Sequence, residues 1–372
     1  MNSDSFNKNN EYTEQGGSPS FTPPPDKLSN AARAAMTLGT SVFMLICGLL
    51  NVMGLAFGDA AIFMGTSTLS LLVYIILGGM CALIALDCPV LAPIPPLVAF
   101  VGSFAIAAFA NGGVSAILLC EALMSVFPAL CGIIIAVSMK MGAKRTGAIV
   151  ASAIGTGIFT AVIVILSVYL SGGAFDGAAV IAAVDEARES FIEAMKLQSK
   201  ELSELYGYDF SGLDIEGTVN GVFNLIPALA ALIFAVTAFF SQLSLLALCR
   251  ICNLYHKLKK KDTEFEVSTV TAAVFAFSYI MSIFLSSSDS AALAVFDNLS
   301  MILQPALSVV GVISVLPKRE GNVLKVGCFP LVAVFSLLMF APSLAFILLA
   351  VMGTVSTFKT ARKNAKSKGD QN

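Results

Sequence analysis

Residues 147–170 read GAIVASAIGTGIFTAVIVILSVYL, a run without one charged side chain. A hydrocarbon core about 30 Å thick is crossed by roughly 20 apolar helical residues, so this run is long enough to span a bilayer. In hydrocarbon every backbone N–H and C=O must be satisfied within the segment, which makes the span a helix. Its small residues, Ala151, Ser152, Gly155 and Gly157, cluster in a way that lets neighbouring helices approach closely, as do Gly78 and Gly79 upstream.

The same pattern recurs on both sides. Apolar runs at about 34–57, 61–86, 89–109, 114–138, 221–249, 267–286, 299–316, 326–341 and 343–358 predict further spans. Of the 372 residues 57% are hydrophobic and 12% are charged, against about a quarter in an ordinary soluble domain, which excludes a soluble globular protein. The predicted fold class is all-α, a polytopic integral membrane helical bundle of about ten transmembrane helices. The last two runs meet near Pro342, where a re-entrant hairpin is the alternative; it would leave the parity unchanged.

Short cytoplasmic segments retain positive charge, so the Lys and Arg residues orient the bundle. With both termini cytoplasmic, 19 of the 22 fall inside: at Lys8 to Arg33, Lys140 to Arg145, Arg250 to Lys261, Lys318 to Lys325 and Lys359 to Lys368. Arg188, Lys196 and Lys200 alone fall outside, in the long 171–220 loop. The organisation expected is a disordered tail at 1–33, a first five-helix half at 34–170, the extracytoplasmic loop, a second half at 221–358 and a basic tail at 359–372. The tail lacks a short apolar core with a small-residue cleavage site, so the first span is expected to be its own signal anchor.

The 171–220 loop carries ten acids against three bases and should not lie on an anionic leaflet. From Gly177 to Tyr206 it reads as an amphipathic helix, with Val180, Val184, Phe191, Ile192, Met195, Leu202 and Leu205 near one face, Asp176 as N-cap and Gly207 as the stop. Two readings stand: a lid packed over the outer ends of the bundle, or a helix that docks a partner or gates a substrate.

The eight cysteines lie in or beside apolar runs, where a free thiol behaves as a small hydrophobe, and no disulfide framework is implied. A pI near 5.5 and scattered basic residues give no nucleic-acid footprint.

A polar group in hydrocarbon is costly and marks a candidate site. Glu121, in the run LeuLeuCysGluAlaLeuMet, is the ionisable residue set well inside a predicted span. It contacts a ligand or couples protons, or else it hydrogen-bonds a neighbouring helix or lies nearer the outer interface than the span boundary places it. Asn51, Gln242, Asn298 and Gln304 are amides that bridge helices or face a solute. Pro128, Pro227, Pro305 and Pro330 interrupt the backbone ladder, either as plain kinks or as breaks whose freed carbonyls line a site. Pro89, Pro93, Pro95 and Pro96 predict an extended or irregular start to the third span.

Cys249, Cys252 and His256 have a metal-like spacing on one helical face, but there is no second cysteine pair, and apolar cysteines beside a basic loop are the better account. The chain lacks HExxH, a GlyXSerXGly elbow, a Walker A loop and a dinucleotide fingerprint. No enzyme activity, metal or cofactor is expected.

The order of these features resembles the YybS-like family of uncharacterised bacterial membrane proteins over about residues 31–360. The likeness lies in the Pro-rich start of span three, the basic loop from Lys140 to Arg145 and the long outer loop ending in AsnLeuIleProAlaLeu (224–229). AsnLeuSerMetIleLeuGln (298–304) then runs into a span ending at Lys318 and Arg319, before a final hairpin. Pro305 stands where the family pattern has glycine, and the Pro-rich N-terminal tail is additional. Ala31, Ala32, Ala34 and Ala35 are similar to the alanine-spaced motif by which substrate-binding subunits of energy-coupling-factor vitamin transporters contact a coupling partner.

The leading functional expectation is a multi-pass protein of the cell membrane that binds or translocates a small solute, contacted by Glu121, Asn51, Gln242 and Gln304, with an energising partner in reserve. The alternative is a non-transporting scaffold for envelope or sporulation proteins. The expected partners are the lipid bilayer, a small-molecule solute and a coupling or envelope protein, without nucleic acid.

Overall fold

The computed structural model describes residues 28–56, 60–110, 113, 115–170, 177–207, 212, 214–254, 258, 265–286, 291–315, 319–320, 323–324 and 342–369. Helices α1 (Asn30–Ala56), α2 (Ala60–Asp87) and α3 (Ile94–Ala110) are followed by α4 (Ala116–Met124), α5 (Phe127–Lys140) and α6 (Arg145–Leu170). Then come α7 (Gly177–Tyr206), α8 (Ile215–Ile251), α9 (Thr269–Leu285), α10 (Ala291–Val315) and α11 (Pro342–Gly369). The described strands, β1 (Arg319–Glu320) and β2 (Val323–Leu324), form a two-residue antiparallel ladder.

Seven helical spans among the described residues are long and apolar enough to cross a membrane, and shorter apolar helices cover Val73–Asp87 and Thr269–Leu285. The chain is an all-α, multi-pass membrane protein. The predicted span at 326–341 and the tail at 1–27 lie outside the described residues.

Several elements differ from the sequence reading for local reasons. The predicted fourth span is two helices: Ser125 and Val126 bond back by three residues, to the Ala122 and Leu123 carbonyls, and Pro128 sits in the first turn of α5. Proline has no N–H for the Met124 carbonyl four residues earlier, so the ladder stops there. At the start of the third span, Pro89–Leu91 form a 3₁₀ turn and Pro95 and Pro96 occupy the first turn of α3. The proline φ suits both conformations, so the stretch is helical rather than extended. Helix α8 begins before the apolar run, after its N-cap Asp214, which accepts the Gly217 N–H at 2.8 Å.

Three apolar clusters hold the bundle. One joins α2, α5, α6 and α8 around Leu83, Ile135, Ile149 and Leu245. A second joins α1, α2, α3 and α5 around Met44, Leu77, Ala99 and Phe127. The third joins α9, α10 and α11 around Phe275, Leu307 and Ala350. Small residues set the spacing: an added Cβ at Gly132 would strike the Gly78 carbonyl, and one at Gly353 would strike that of Leu307. Backbones meet at both crossings, the packing by which membrane helices associate when lipid tails are as apolar as leucine.

Helix α7 has the bounds expected of the amphipathic segment, and Gly207, at φ +69°, closes it in the left-handed conformation that glycine adopts without strain. Asp176, its expected N-cap, lies outside the described residues. Phe191 meets Phe223 with ring centroids 6.3 Å apart, and Lys196 pairs with Glu216 at 2.5 Å, so α7 rests against the N-terminal part of α8.

Candidate functional site

The expected contact residues stand on four different helices: Asn51 on α1, Glu121 on α4, Gln242 on α8 and Gln304 on α10. The Asn51 side chain lies outside the described residues, and Glu121 and Gln304 are half-buried. Gln242 is fully buried and belongs to a polar cluster that the structure assembles between α5, α6 and α8.

That cluster is organised by Arg145, the first residue of α6. Sequence reading places Arg145 in a basic cytoplasmic loop; in the structure its side chain is 9% exposed and turns into the bundle. Its Nε donates to Gln242 Oε1 at 3.1 Å. Its guanidinium carbon lies 5.5 Å from the Phe239 ring centroid and 5.7 Å from that of Phe265, and the two rings meet edge to face. A desolvated cation over an aromatic face gains on the order of 2 kcal/mol, which offsets part of the cost of removing the charge from water. A positive side chain at a helix N-terminus opposes the helix dipole, so the contacts to α8 and to Phe265 work against an intrinsic penalty.

Deeper in, Ser152 Oγ donates to the Cys131 carbonyl at 3.0 Å and lies 3.2 Å from its sulfur. By helical rise, Ser152 is roughly 10 Å from the start of α6 and Gln242 roughly 14 Å from the end of α8, so both lie inside apolar helices rather than at their ends. Gln242 Nε2 is buried without a hydrogen-bond partner among the described residues, while its neighbour Ser241 faces the Cys131 thiol. An amide nitrogen carries two N–H donors, and leaving them unmade in a dry interior costs about 1–3 kcal/mol. The unmade donor is Gln242 Nε2, and the Arg145 guanidinium held on Gln242 Oε1 makes its surroundings positive. Chemically the arrangement suits an anion or a carbonyl-bearing group.

Other polar residues tie helices together. Asn298 on α10 accepts the Ala228 N–H at 3.0 Å and donates to the Asn224 carbonyl at 2.9 Å, bridging the α8 backbone across Pro227. Beside it, Asp297 accepts a hydrogen bond from Ser282 of α9. Asp297 lies inside α10, six residues past the start of a helix that begins earlier than the apolar run.

At the end of the bundle where α1 begins, Arg33 pairs with Asp87 at 2.7 Å, and the Asp87 side chain is 2% exposed. Lys140 Nζ donates to the Ala85 carbonyl at 2.7 Å, a cation at the carboxyl end of α2, where the helix dipole favours it. Lys144 pairs with Glu266, also at 2.7 Å. Sequence reading missed Asp87 and Arg145 because each sits one or two positions beyond an apolar run, where charge ordinarily meets water. For Asp87 the available signal was an opposite charge, Arg33, at a neighbouring helix end; for Arg145 there was none, because Gln242 lies inside the apolar run of α8.

The seven described cysteines are free. Cys249 is buried and Cys252 caps α8, while His256 and Cys328 lie outside the described residues. Among the described residues no group of His, Cys, Asp and Glu is placed to hold a metal ion. No family model matches the chain, and no curated protein or solved structure matches it.

Proposed function

We propose that this membrane protein binds a small anionic or carboxylate-bearing solute at the Arg145–Gln242 cluster, as a non-enzymatic binding or translocating component. The observation that carries this reading is the Gln242 amide nitrogen, wholly buried with its donors unmade beside a buried guanidinium. A polar cluster kept only for packing would be expected to satisfy its own donors. The break between α4 and α5 adds support, because discontinuous helices accompany solute sites in many transporters and α5, which follows the break, carries Cys131 of the cluster. The cluster is enclosed, so solute access requires α6 and α8 to part around it. The alanine-spaced start of α1, similar to that of substrate-binding subunits of energy-coupling-factor transporters, fits a membrane component that works with an energising partner.

The test is thermal unfolding of the full chain in detergent, titrated separately with acetate, phosphate and chloride. A saturable rise in Tm with one anion, absent in a folded Gln242→Leu variant, is the expected result. No rise with any of them, or an equal rise in the variant, overturns the reading.

A second reading, a scaffold for envelope proteins, has its own observation. On α7 the apolar residues Ile181, Val184, Phe191 and Leu205 remain exposed although the helix rests on α8. An apolar stripe left open outside the bundle is a surface for a partner. Removing Gly177–Tyr206 would then spare insertion and abolish co-purification of that partner; an unchanged set of co-purified proteins would count against it.

A further inference from the structure

Between α1 and the 3₁₀ turn and α3 that follow α2 lies an open groove of about 550 Å³. Its walls are mainly apolar and include Leu38 and Val42 from α1 and Val90 and Val98 opposite, all turned outward. In a membrane protein those outward-facing positions meet lipid, so the groove opens sideways to the bilayer.

Polar groups along the α1 wall are ordered by depth. Arg33 stands at the mouth, with Nε on Asp87 and Nη1 donating to Asn30 Oδ1 at 3.3 Å. The Arg33 side chain is 20% exposed while that of Asp87 is 2% exposed, so the pair shows its cationic edge to the outside. One helical turn further in, about 6 Å along the axis, is Thr37, also in the groove wall. Thr37 is 6% exposed, and its hydroxyl has no hydrogen-bond partner among the described residues. Beyond Thr37 the lining continues through Val42 to Val98 and is apolar apart from Ser41, whose hydroxyl bonds back to the Thr37 carbonyl at 2.7 Å.

We infer that this groove holds one glycerophospholipid of the leaflet at the α1 start, with its phosphate on Arg33, an ester carbonyl on the Thr37 hydroxyl and an acyl chain along Leu38, Val42 and Val98. The order of groups matches that of the lipid: anion, then acceptor, then hydrocarbon. A guanidinium serves phosphate recognition well because its planar fork of donors meets phosphate oxygens in pairs. The Thr37 hydroxyl is buried behind the groove surface, and rotation about its χ1 brings the unmade donor to the ester oxygen in a place where water is excluded.

The full chain, reconstituted in vesicles of equimolar phosphatidylcholine and phosphatidylglycerol, is re-extracted and washed exhaustively with detergent, and retained phospholipid per chain is measured by mass spectrometry. Wild type keeps a single phospholipid. Leu38→Trp and Val42→Trp, which fill the groove, lower retention roughly tenfold, whereas Ile154→Trp, on the outward face of α6, leaves it unchanged. The charge-neutral pair Arg33→Gln with Asp87→Asn keeps the helix tie and lowers retention as well. Equal retention in the groove variants and the α6 control overturns the inference. So does retention that begins only after residues 1–27 are deleted, which would make the chain's own N-terminal segment the occupant.

Discussion

At Pro227 the ladder of α8 loses a donor inside a membrane span, and the Asn298 amide bridges the backbone groups on either side of it. The sequence offered Asn298 as either a helix tie or a solute contact, and its two backbone partners on α8 identify the tie. Replacing it with leucine leaves the Ala228 N–H and the Asn224 carbonyl without that bridge. Asn298→Leu should cost about 1–2 kcal/mol of stability, read as a shift in the unfolding midpoint in detergent. Combining it with Pro227→Ala restores a backbone donor and should recover part of the loss; a simply additive loss would contradict this account. The Arg145–Gln242 pair follows different arithmetic. Removing one partner strands a buried polar group, whereas removing both leaves an apolar contact. A double-mutant cycle should therefore find Arg145→Met with Gln242→Leu less destabilised than the sum of the two single changes, and additivity would show that the pair does not interact.

At the scale of elements, close approach decides which helices pack. A side chain at Gly353 meets the α10 backbone, so Gly353→Leu should separate α11 from α10 and cost at least about 2–3 kcal/mol, detected as proteolysis or hydrogen exchange confined to α9, α10 and α11. Gly221 is the opposite case: nothing stands within 4 Å of an added Cβ, and it lies inside α8. Gly221→Ala should stabilise by about 0.5–1 kcal/mol. These contrasts are only partly legible beforehand. Gly78, Gly155 and Gly157 announce close packing by clustering, whereas Gly311 and Gly353 stand singly in apolar runs and acquire their meaning from the crossing. The bounds of α7 are readable from amphipathic period and a terminal glycine. The Ser125–Val126 break is not, because the run around it stays apolar and Pro128 is its one mark in the sequence.

At the scale of the whole molecule, hydropathy over windows of about 20 residues establishes the class because hydrocarbon admits few backbone solutions. Polar residues inside the bundle are less legible, since their meaning depends on which helices meet. Gln242 gains its place from Arg145, 97 residues away in sequence, and from aromatic faces on α8 and near the start of α9. Glu121 and Gln304 stand on other helices, α4 and α10, half-buried, and among the described residues neither has a tie to Gln242 of α8 that a sequence pattern could have announced. The account centres on the buried donors of Gln242 as a solute site, and native mass spectrometry of the full chain gently extracted from its own cells tests that claim most directly. It predicts a small anionic molecule retained by wild type and lost from a folded Gln242→Leu variant. Spectra of the two proteins that show the same lipid and detergent adducts and no other small molecule would contradict it.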